Sequence, residues 1–424
     1  MSEWKETEIG LIPSDWHIDK LENHVQPQRG ITYGIVKVGD FVPGGVPVIR
    51  GGDIRDGSIV FDDQKRVAEE VSNQFRRTIL QGGEILLNLI AEPGHAAIVP
   101  DELMSSNVSR DVAVIPLDDS VDHKFVCYFL RSEASITWLT NRLQGTVTQK
   151  INLGVLRELP ILLMSLDEQR RIAHFLDCLD RSISNLRNQN ETLEKIAQTL
   201  FKHWFVDFEF PNADGKPYKS SGGEMMPSEL GEIPVGWRVG TLGDIGRNIR
   251  NGISETEIQP EMSYIALEHM PKKQIALDSW GTAADIASNK FLFKKGNILF
   301  GKLRPYFHKV GVSFISGICS TDILVLDSKN ESIFGFLLMT VSSEEFIRYV
   351  SLAAEGTRMP RTNWQYMKEY PICIPDHLVT VAFNELLKAL VLKIENNIFK
   401  IQTLTQTRDA LLPKLMSGKL RIKP

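Results

Sequence analysis

Cysteine is scarce in this chain, and long apolar runs are missing. The four cysteines, Cys127, Cys178, Cys319 and Cys373, stand far apart, so they suit neither a disulfide framework nor a Cys-x-x-Cys zinc or redox site. That usage fits a reducing compartment, and a cytoplasmic protein is expected. No run approaches the roughly 18 apolar residues that cross a bilayer. The opening Met1-Ser2-Glu3-Trp4-Lys5-Glu6 lacks the basic and apolar character of a signal segment. Neither secretion nor membrane insertion is expected. Also absent are a Gly-x-x-x-x-Gly-Lys-Ser/Thr phosphate loop, an Asn-Pro-Pro-Tyr or Asp-Pro-Pro-Tyr amino-methyltransferase motif, and a His/Cys cluster with metal-ligand spacing. Asp214-Gly215-Lys216 and Asp327-Ser328-Lys329 echo part of a nuclease site. The first sits in a turn-rich linker and the second closes a strand without an upstream acidic pair, so no catalytic residue and no metal site are expected.

What the chain does contain is itself, twice. Glu8-Ile9-Gly10-Leu11-Ile12-Pro13-Ser14-Asp15-Trp16 returns as Glu229-Leu230-Gly231-Glu232-Ile233-Pro234-Val235-Gly236-Trp237. Gly83 to Leu86 then answers to Gly296 to Leu299, Ser109 to Val112 to Ser320 to Ile323, and Gly145-Thr146 to Gly356-Thr357. Asn152, Glu158, Pro160 and Ile161 match Asn363, Glu369, Pro371 and Ile372. Repeats of about 200 residues exceed any solenoid period of roughly 20 to 50, so each copy is a domain-sized head. Two heads imply pseudo-symmetry.

Net charge is −5 over 424 residues, which alone argues mildly against a polyanionic partner, because phosphate contacts need a basic surface. The distribution is uneven. Residues 1–160 are acidic and 372–424 basic, and no Asp or Glu separates Asp285 from Asp322, where Lys290, Lys294, Lys295, Lys302, Arg304 and Lys309 fall. Any polyanion site is local.

Beyond Pro160, apolar residues adopt heptad spacing. Ile172, Leu176, Leu179, Ile183, Leu186, Asn190, Leu193, Ala197, Leu200 and Trp204 alternate steps of four and three, the seam of a left-handed coiled coil. Phe383, Leu387, Leu390, Ile394, Asn397, Ile401, Leu404, Arg408, Leu411 and Leu415 repeat it. The spacing predicts two helices of roughly 40 residues, about 60 Å long, neither able to bury its stripe alone. They are expected to pair, antiparallel by pseudo-symmetry, with the heads at opposite ends. Asn190 and Asn397 interrupt the seams, either as buried amides fixing register or as exposed edge residues. Asp167 is the expected N-cap of the first helix, and Pro413 is expected to kink or end the second about a turn short of Met416. Within each head, short apolar runs predict strands at Val46 to Ile49, Glu84 to Ile90, Ala96 to Val99 and Val112 to Leu117, then helices at Lys124 to Leu130 and Ala134 to Leu143. The second head repeats them from Tyr264 to Ala353.

The expected fold is α+β: two pseudo-symmetric α/β recognition domains separated by a pair of long antiparallel coiled-coil helices. Its divisions are residues 1–160, the first head; 161–210, the first long helix; 211–228, a linker; 229–375, the second head; and 376–424, the second helix and tail.

Several phrases, taken jointly, resemble the specificity subunits of type I restriction-modification systems. They are Trp204-Phe205-Val206-Asp207-Phe208 leading into Gly215-Lys216-Pro217-Tyr218-Lys219-Ser220-Ser221-Gly222-Gly223, the two Ile-Pro-x-x-Trp openings, Leu299-Phe300-Gly301-Lys302-Leu303-Arg304-Pro305-Tyr306, and Leu411 to Leu420. The resemblance covers essentially the whole chain. It implies that each head is a target recognition domain reading half of a bipartite, asymmetric site on double-stranded DNA. It also implies that the helices act as a ruler and as docking surface for two adenine-methyltransferase subunits, joined by restriction/translocase subunits. On that resemblance the chain itself catalyses nothing and binds no cofactor, while S-adenosylmethionine, ATP and Mg belong to its partners. The alternative is a coiled-coil adaptor whose heads bind protein or carbohydrate, consistent with the acidic first head.

The first DNA-contact candidates precede each long helix: Arg142, Thr146, Thr148, Gln149, Lys150 and Asn152, matched by Thr357, Arg358, Arg361 and Asn363. No acid occurs from Ala134 to Arg157 or from Gly356 to Lys368, and these side chains offer donors for base edges and phosphates. The plainer reading is a solvated Gly-Thr turn and a helix cap. The second candidates are Lys302, Arg304, Tyr306, His308 and Lys309, interleaved with Phe300, Phe307 and Phe314 as suits a phosphate-contacting edge. The plainer reading there is core phenylalanine beside a wet lysine face. The matching window of the first head holds Asn88, Leu89 and Glu92, so contacts do not transfer between heads. Arg50, Arg76 and Arg77 are further candidates there.

Overall fold

The repeated Ile-Pro-x-x-Trp phrase closes the same β-hairpin in both copies. Trp4–Thr7 pairs antiparallel with Gly10–Pro13, and Met225–Ser228 pairs with Gly231–Pro234 in the same register. Gly10 and Gly231 hold φ of +103° and +97°, a region open to glycine but strained for other residues. Even the turn bond is duplicated: the Thr7 hydroxyl donates to Gly10 O at 2.7 Å, and the Ser228 hydroxyl to Gly231 O at 2.6 Å. Trp16 and Trp237 then turn into the core. His17–Lys20 and Arg238–Thr241 follow, pairing with Pro160–Leu163 and Pro371–Ile374, again in matched register.

The structure, a computed structural model, describes residues 3–55, 57–61, 65–90, 93–145, 149–352 and 359–422. Its contacts fall into two units, residues 1–183 with 403–424, and residues 184–402. Each unit therefore takes part of both long helices.

In the first unit an antiparallel sheet runs Ala96–Ile98, Ile85–Asn88, Val112–Ile115, Thr32–Tyr33. A smaller sheet of Asn107–Val108, Val46–Ile49 and Arg66–Val67 lies in the same unit. Helices His123–Leu130 and Glu133–Thr140 follow, and Phe125, Phe129 and Leu139 join Ile85, Leu87 and Ile115 in the core. The second unit repeats the plan with Gly246–Ile249, Ile323–Ser328, Ile298–Gly301, Val310–Ser313 and Ala276–Leu277 in one sheet, and helices Phe334–Val341 and Glu344–Leu352. The sequence-predicted strands and helices of both heads match these to within a few residues.

The long helices span Leu166–Phe201 and His377–Met416, and a short π-helical stretch, Lys202–Val206, finishes the first. Every residue of both predicted seams is buried or half-buried, as a stripe that pairs with another helix must be. Within the first unit Ile172 and Leu176 share the core with Leu415 and Met416, and Arg408 donates to Asp180 at 2.7 Å. Burial pushes the Asp180 pKa up, but the Arg408 hydrogen bond and the Arg131 charge outweigh it and hold the carboxyl below its ordinary range. Within the second unit Asn397 donates to Asn190 Oδ1 at 2.9 Å, and the Phe205 ring meets Phe383 edge-on at 4.7 Å. In each unit low numbers on one helix meet high numbers on the other, so the pairing is antiparallel. Asn397 is fully buried and Asn190 half-buried, so of the two amides Asn397 is the core residue. Glu194, buried on the first long helix, accepts the N–H groups of Ile275 and Ala276, both at 3.1 Å.

Two local expectations fail. The first helix is capped by Ser165, whose Oγ accepts from Glu168 N at 3.2 Å, while Asp167 lies inside the first turn and pairs with Arg171. Pro413 does not end the second helix, which runs through it to Met416, so the ending half of that expectation is not met. A proline forfeits one backbone hydrogen bond; burial of Leu415 and Met416 keeps the last turn wound.

Candidate nucleic-acid interface

In each head, three segments converge through the same backbone bonds. Leu89 and Lys302, at the ends of equivalent central strands, donate to Asp111 O at 2.7 Å and Asp322 O at 2.9 Å. Their carbonyls accept from Ile151 N at 2.8 Å and Thr362 N at 3.0 Å. Bridges Ile90 to Lys150 and Leu303 to Arg361 lie alongside. Asn152 and Asn363 then cap the short helices Leu153–Arg157 and Trp364–Met367, their side chains accepting from Gly154 N and Tyr366 N. The cap half of the plainer reading is therefore met: these carbonyls are already used.

Both frames border a hollow. In the second head it is an open groove of about 710 Å³ whose lining includes Arg250, Lys302, Arg361, Asn363 and Gln365. In the first it is a hollow of about 470 Å³ whose lining includes Tyr33, Arg110, Lys150 and Asn152. Strand register makes the places equivalent. Tyr33 faces Ala113 and Ile249 faces Val325 on matching strands, so Tyr33 of one head stands where Arg250 stands in the other. The frame is copied and the side chains on it are not.

The groove of the second head holds a defined ion pair. Arg361 donates through Nε to Asp322 Oδ1 at 3.1 Å and through Nη2 to Oδ2 at 3.5 Å, and Lys302 Nζ lies 4.0 Å from the same carboxylate. The Thr362 hydroxyl, buried in the lining, has no hydrogen-bond partner. A surface of cationic forks and amides, with one arginine held by a carboxylate, suits phosphate oxygens and the acceptor edges of bases. Among the described residues, no group of three or more His, Cys, Asp or Glu side chains is disposed to hold a metal ion.

Residues 39–195 match the family description of the type I restriction modification DNA specificity domain. Across its whole length the chain is 28% identical to the MjaIX specificity subunit of Methanocaldococcus jannaschii, covering 97% of that protein. It is 24% identical to the EcoDI specificity subunit of Escherichia coli, over 70% of each chain. Over its whole length the chain is thus similar to type I restriction-modification specificity subunits. The fold agrees: the crystal structure of an S subunit from M. genitalium superposes with a TM-score of 0.56 at 17% identity, covering 94% of this chain and 96% of that one.

The other sequence candidates scatter. His308 is buried, its ring bonded to Ser342 O at 2.9 Å, and burial holds its pKa below the ordinary histidine value. Lys309 turns inward to Leu267 O at 2.5 Å, and burial lowers its pKa too. Arg304 and Tyr306 remain exposed at the tip between them, where Arg304 and His308 both adopt left-handed backbone, φ +50° and +53°. Arg142 lies over the Trp138 ring at 3.9 Å and lines a hollow with Glu8 and Pro413, not the one holding Lys150. Arg77 donates to Arg29 O, Arg76 is exposed, and Arg50 has a buried Nε without a partner. Gln149 is exposed beside Lys150. Thr146, Thr148, Thr357 and Arg358 lie outside the described residues. Sequence reasoning missed Tyr33, Arg110, Arg250 and Asp322. The repeated Ser109 to Val112 and Ser320 to Ile323 phrases carried the signal for Arg110 and Asp322; nothing local marks Tyr33 or Arg250.

No helix among the described residues is long and apolar enough to cross a membrane.

Proposed function

We propose that this chain is the DNA-reading and assembly subunit of a cytoplasmic restriction-modification complex. Each head takes one half of a bipartite, asymmetric duplex site, using the groove beside its helix cap. The paired helices set the gap between half-sites and offer the surface on which two adenine-methyltransferase subunits, and through them the restriction/translocase subunits, assemble. The chain contributes recognition only. S-adenosylmethionine serves the methyltransferase partners, and ATP and Mg the translocating ones.

One observation carries the reading: equivalent, cation-bearing grooves occupy one copied backbone frame but present different side chains. A reader of two identical half-sites would need no such divergence, and an adaptor for one protein partner would need no paired cationic grooves. The test is selection from randomised duplexes by the full chain bound to its methyltransferase partner. Two unlike half-sequences at a fixed gap are expected; a single contiguous motif, or no motif, overturns the proposal. Binding that ignores salt would favour the adaptor reading, since phosphate contacts weaken steeply with ionic strength.

A further inference from the structure

Both heads place an aspartate at the same backbone position of the frame, but use it differently. Asp111 ties its loop to a neighbouring segment: Oδ2 accepts Gly51 N at 3.0 Å, and Oδ1 accepts the Ser109 hydroxyl. Asp322 makes no corresponding side-chain bond to its loop among the described residues. Its carboxylate instead grips the side edge of Arg361, with Lys302 nearby.

A guanidinium carries five N–H donors in a fixed plane. Asp322 occupies Nε and one hydrogen of Nη2. The end-on fork, formed by Nη1 and the outer hydrogen of Nη2, has no protein partner among the described residues, and Arg361 borders the groove. That fork matches the O6 and N7 acceptors of guanine in the major groove. Pairing with a carboxylate offsets the positive charge that attracts phosphate and fixes the plane that directional reading requires. Resting on the reading that this head binds half of a duplex DNA site, we propose that Arg361 reads a guanine in that half-site and that Asp322 is the positioning residue that aims it. Among the described residues the first head shows no such couple: its aspartate is committed to Gly51 and Lys150 stands in place of the arginine.

The experiment selects randomised duplexes with the full chain and its methyltransferase partner, comparing wild type with Arg361→Ala, Arg361→Lys, Asp322→Asn and Asp111→Asn. Wild type is expected to require a G·C pair at one position of one half-site. Arg361→Ala and Arg361→Lys should each lose roughly 5- to 150-fold of discrimination there, the range for one bidentate contact, because lysine keeps the charge but not the fork. Asp322→Asn should lose preference at the same position without weakening total binding. The other half-site should stay intact in all three, which also shows that the chain is folded. Asp111→Asn should leave this position unchanged.

Uniform weakening across all sequences in Arg361→Ala, with a salt slope lower by about 1 and recovery in Arg361→Lys, marks a phosphate contact and overturns the inference while leaving the two-headed reading standing. Unaltered preference in Asp322→Asn overturns the positioning role. Absence of any selected motif in wild type overturns both readings together.

Discussion

Asn152 and Asn363 stand at equivalent positions, and each spends its side-chain oxygen on a helix N-terminus. Replacing either with alanine should lower stability by about 1 kcal/mol, a typical loss for an N-cap, and serine or aspartate should restore most of it. Thermal denaturation of the full chain checks this, and selection from randomised duplexes should show both half-sequences unchanged. A changed half-sequence without loss of stability would make them readers instead of caps. Their repetition looked like conserved contact chemistry in the sequence, yet a copied frame repeats its caps for structural reasons alone. The cationic side chains behave oppositely. Lys302 and Arg361 meet over one carboxylate in the groove, while Lys309 and His308, from the same basic window, turn toward backbone carbonyls. Residue type and spacing were legible; the direction of each side chain was not, because left-handed backbone at Arg304 and His308 reroutes the chain between them.

At the scale of elements, the long helices carry two polar features that a purely apolar seam would lack. Asn397, fully buried, donates to Asn190, and Asn397→Ala should destabilise the protein by about 1–3 kcal/mol by stranding the Asn190 carbonyl. Converting both asparagines to leucine should instead raise the denaturation midpoint while loosening register. Glu194 fastens the first long helix to the edge strand Ala276–Leu277 and to Ile275 before it. Burial raises its pKa to about 7, against the two backbone N–H groups that oppose the shift. An acid with a raised folded pKa stabilises fully below its unfolded value near 4.5 and loses that contribution as pH rises through about 7. Chemical denaturation should therefore show the second unit stabler at pH 5 than at pH 8, by on the order of 3 kcal/mol from this group. Glu194→Gln should flatten the difference; an unchanged pH profile in that variant would assign it elsewhere.

For the whole molecule, the ruler proposal makes a geometric prediction. Because the helices pair antiparallel in each unit, a heptad inserted in one alone would break register, so matched heptads belong in both, between the Asp180–Arg408 and Asn190–Asn397 pairs. Seven residues lengthen a helix by about 10 Å, roughly three base pairs at 3.4 Å each. The gap between selected half-sites should grow by about that amount with both half-sequences retained. Changed half-sequences at an unchanged gap would show that the helices do not measure distance. The chain's tail belongs to the same design within the first unit. Arg421 bridges Asp15 and Glu168, and Gly418 lies so close to Pro13 and Trp16 that a side chain there would collide.

The sequence by itself determined the duplication, the strands and helices of each head, and both helical seams, because periodicity and turn chemistry act over a few residues and the chain records them directly. It singled out Lys302, Arg361, Lys150 and the two asparagines as candidates. Tertiary structure decided which of them share a groove. It brought Arg250 and Tyr33 to matching places through strand register, gave Asp322 to Arg361 but Asp111 to Gly51, carried the second helix through Pro413, and moved Arg142 to another hollow. Each outcome depends on contacts between segments tens to hundreds of residues apart, where packing and hydrogen-bond satisfaction outweigh local preference.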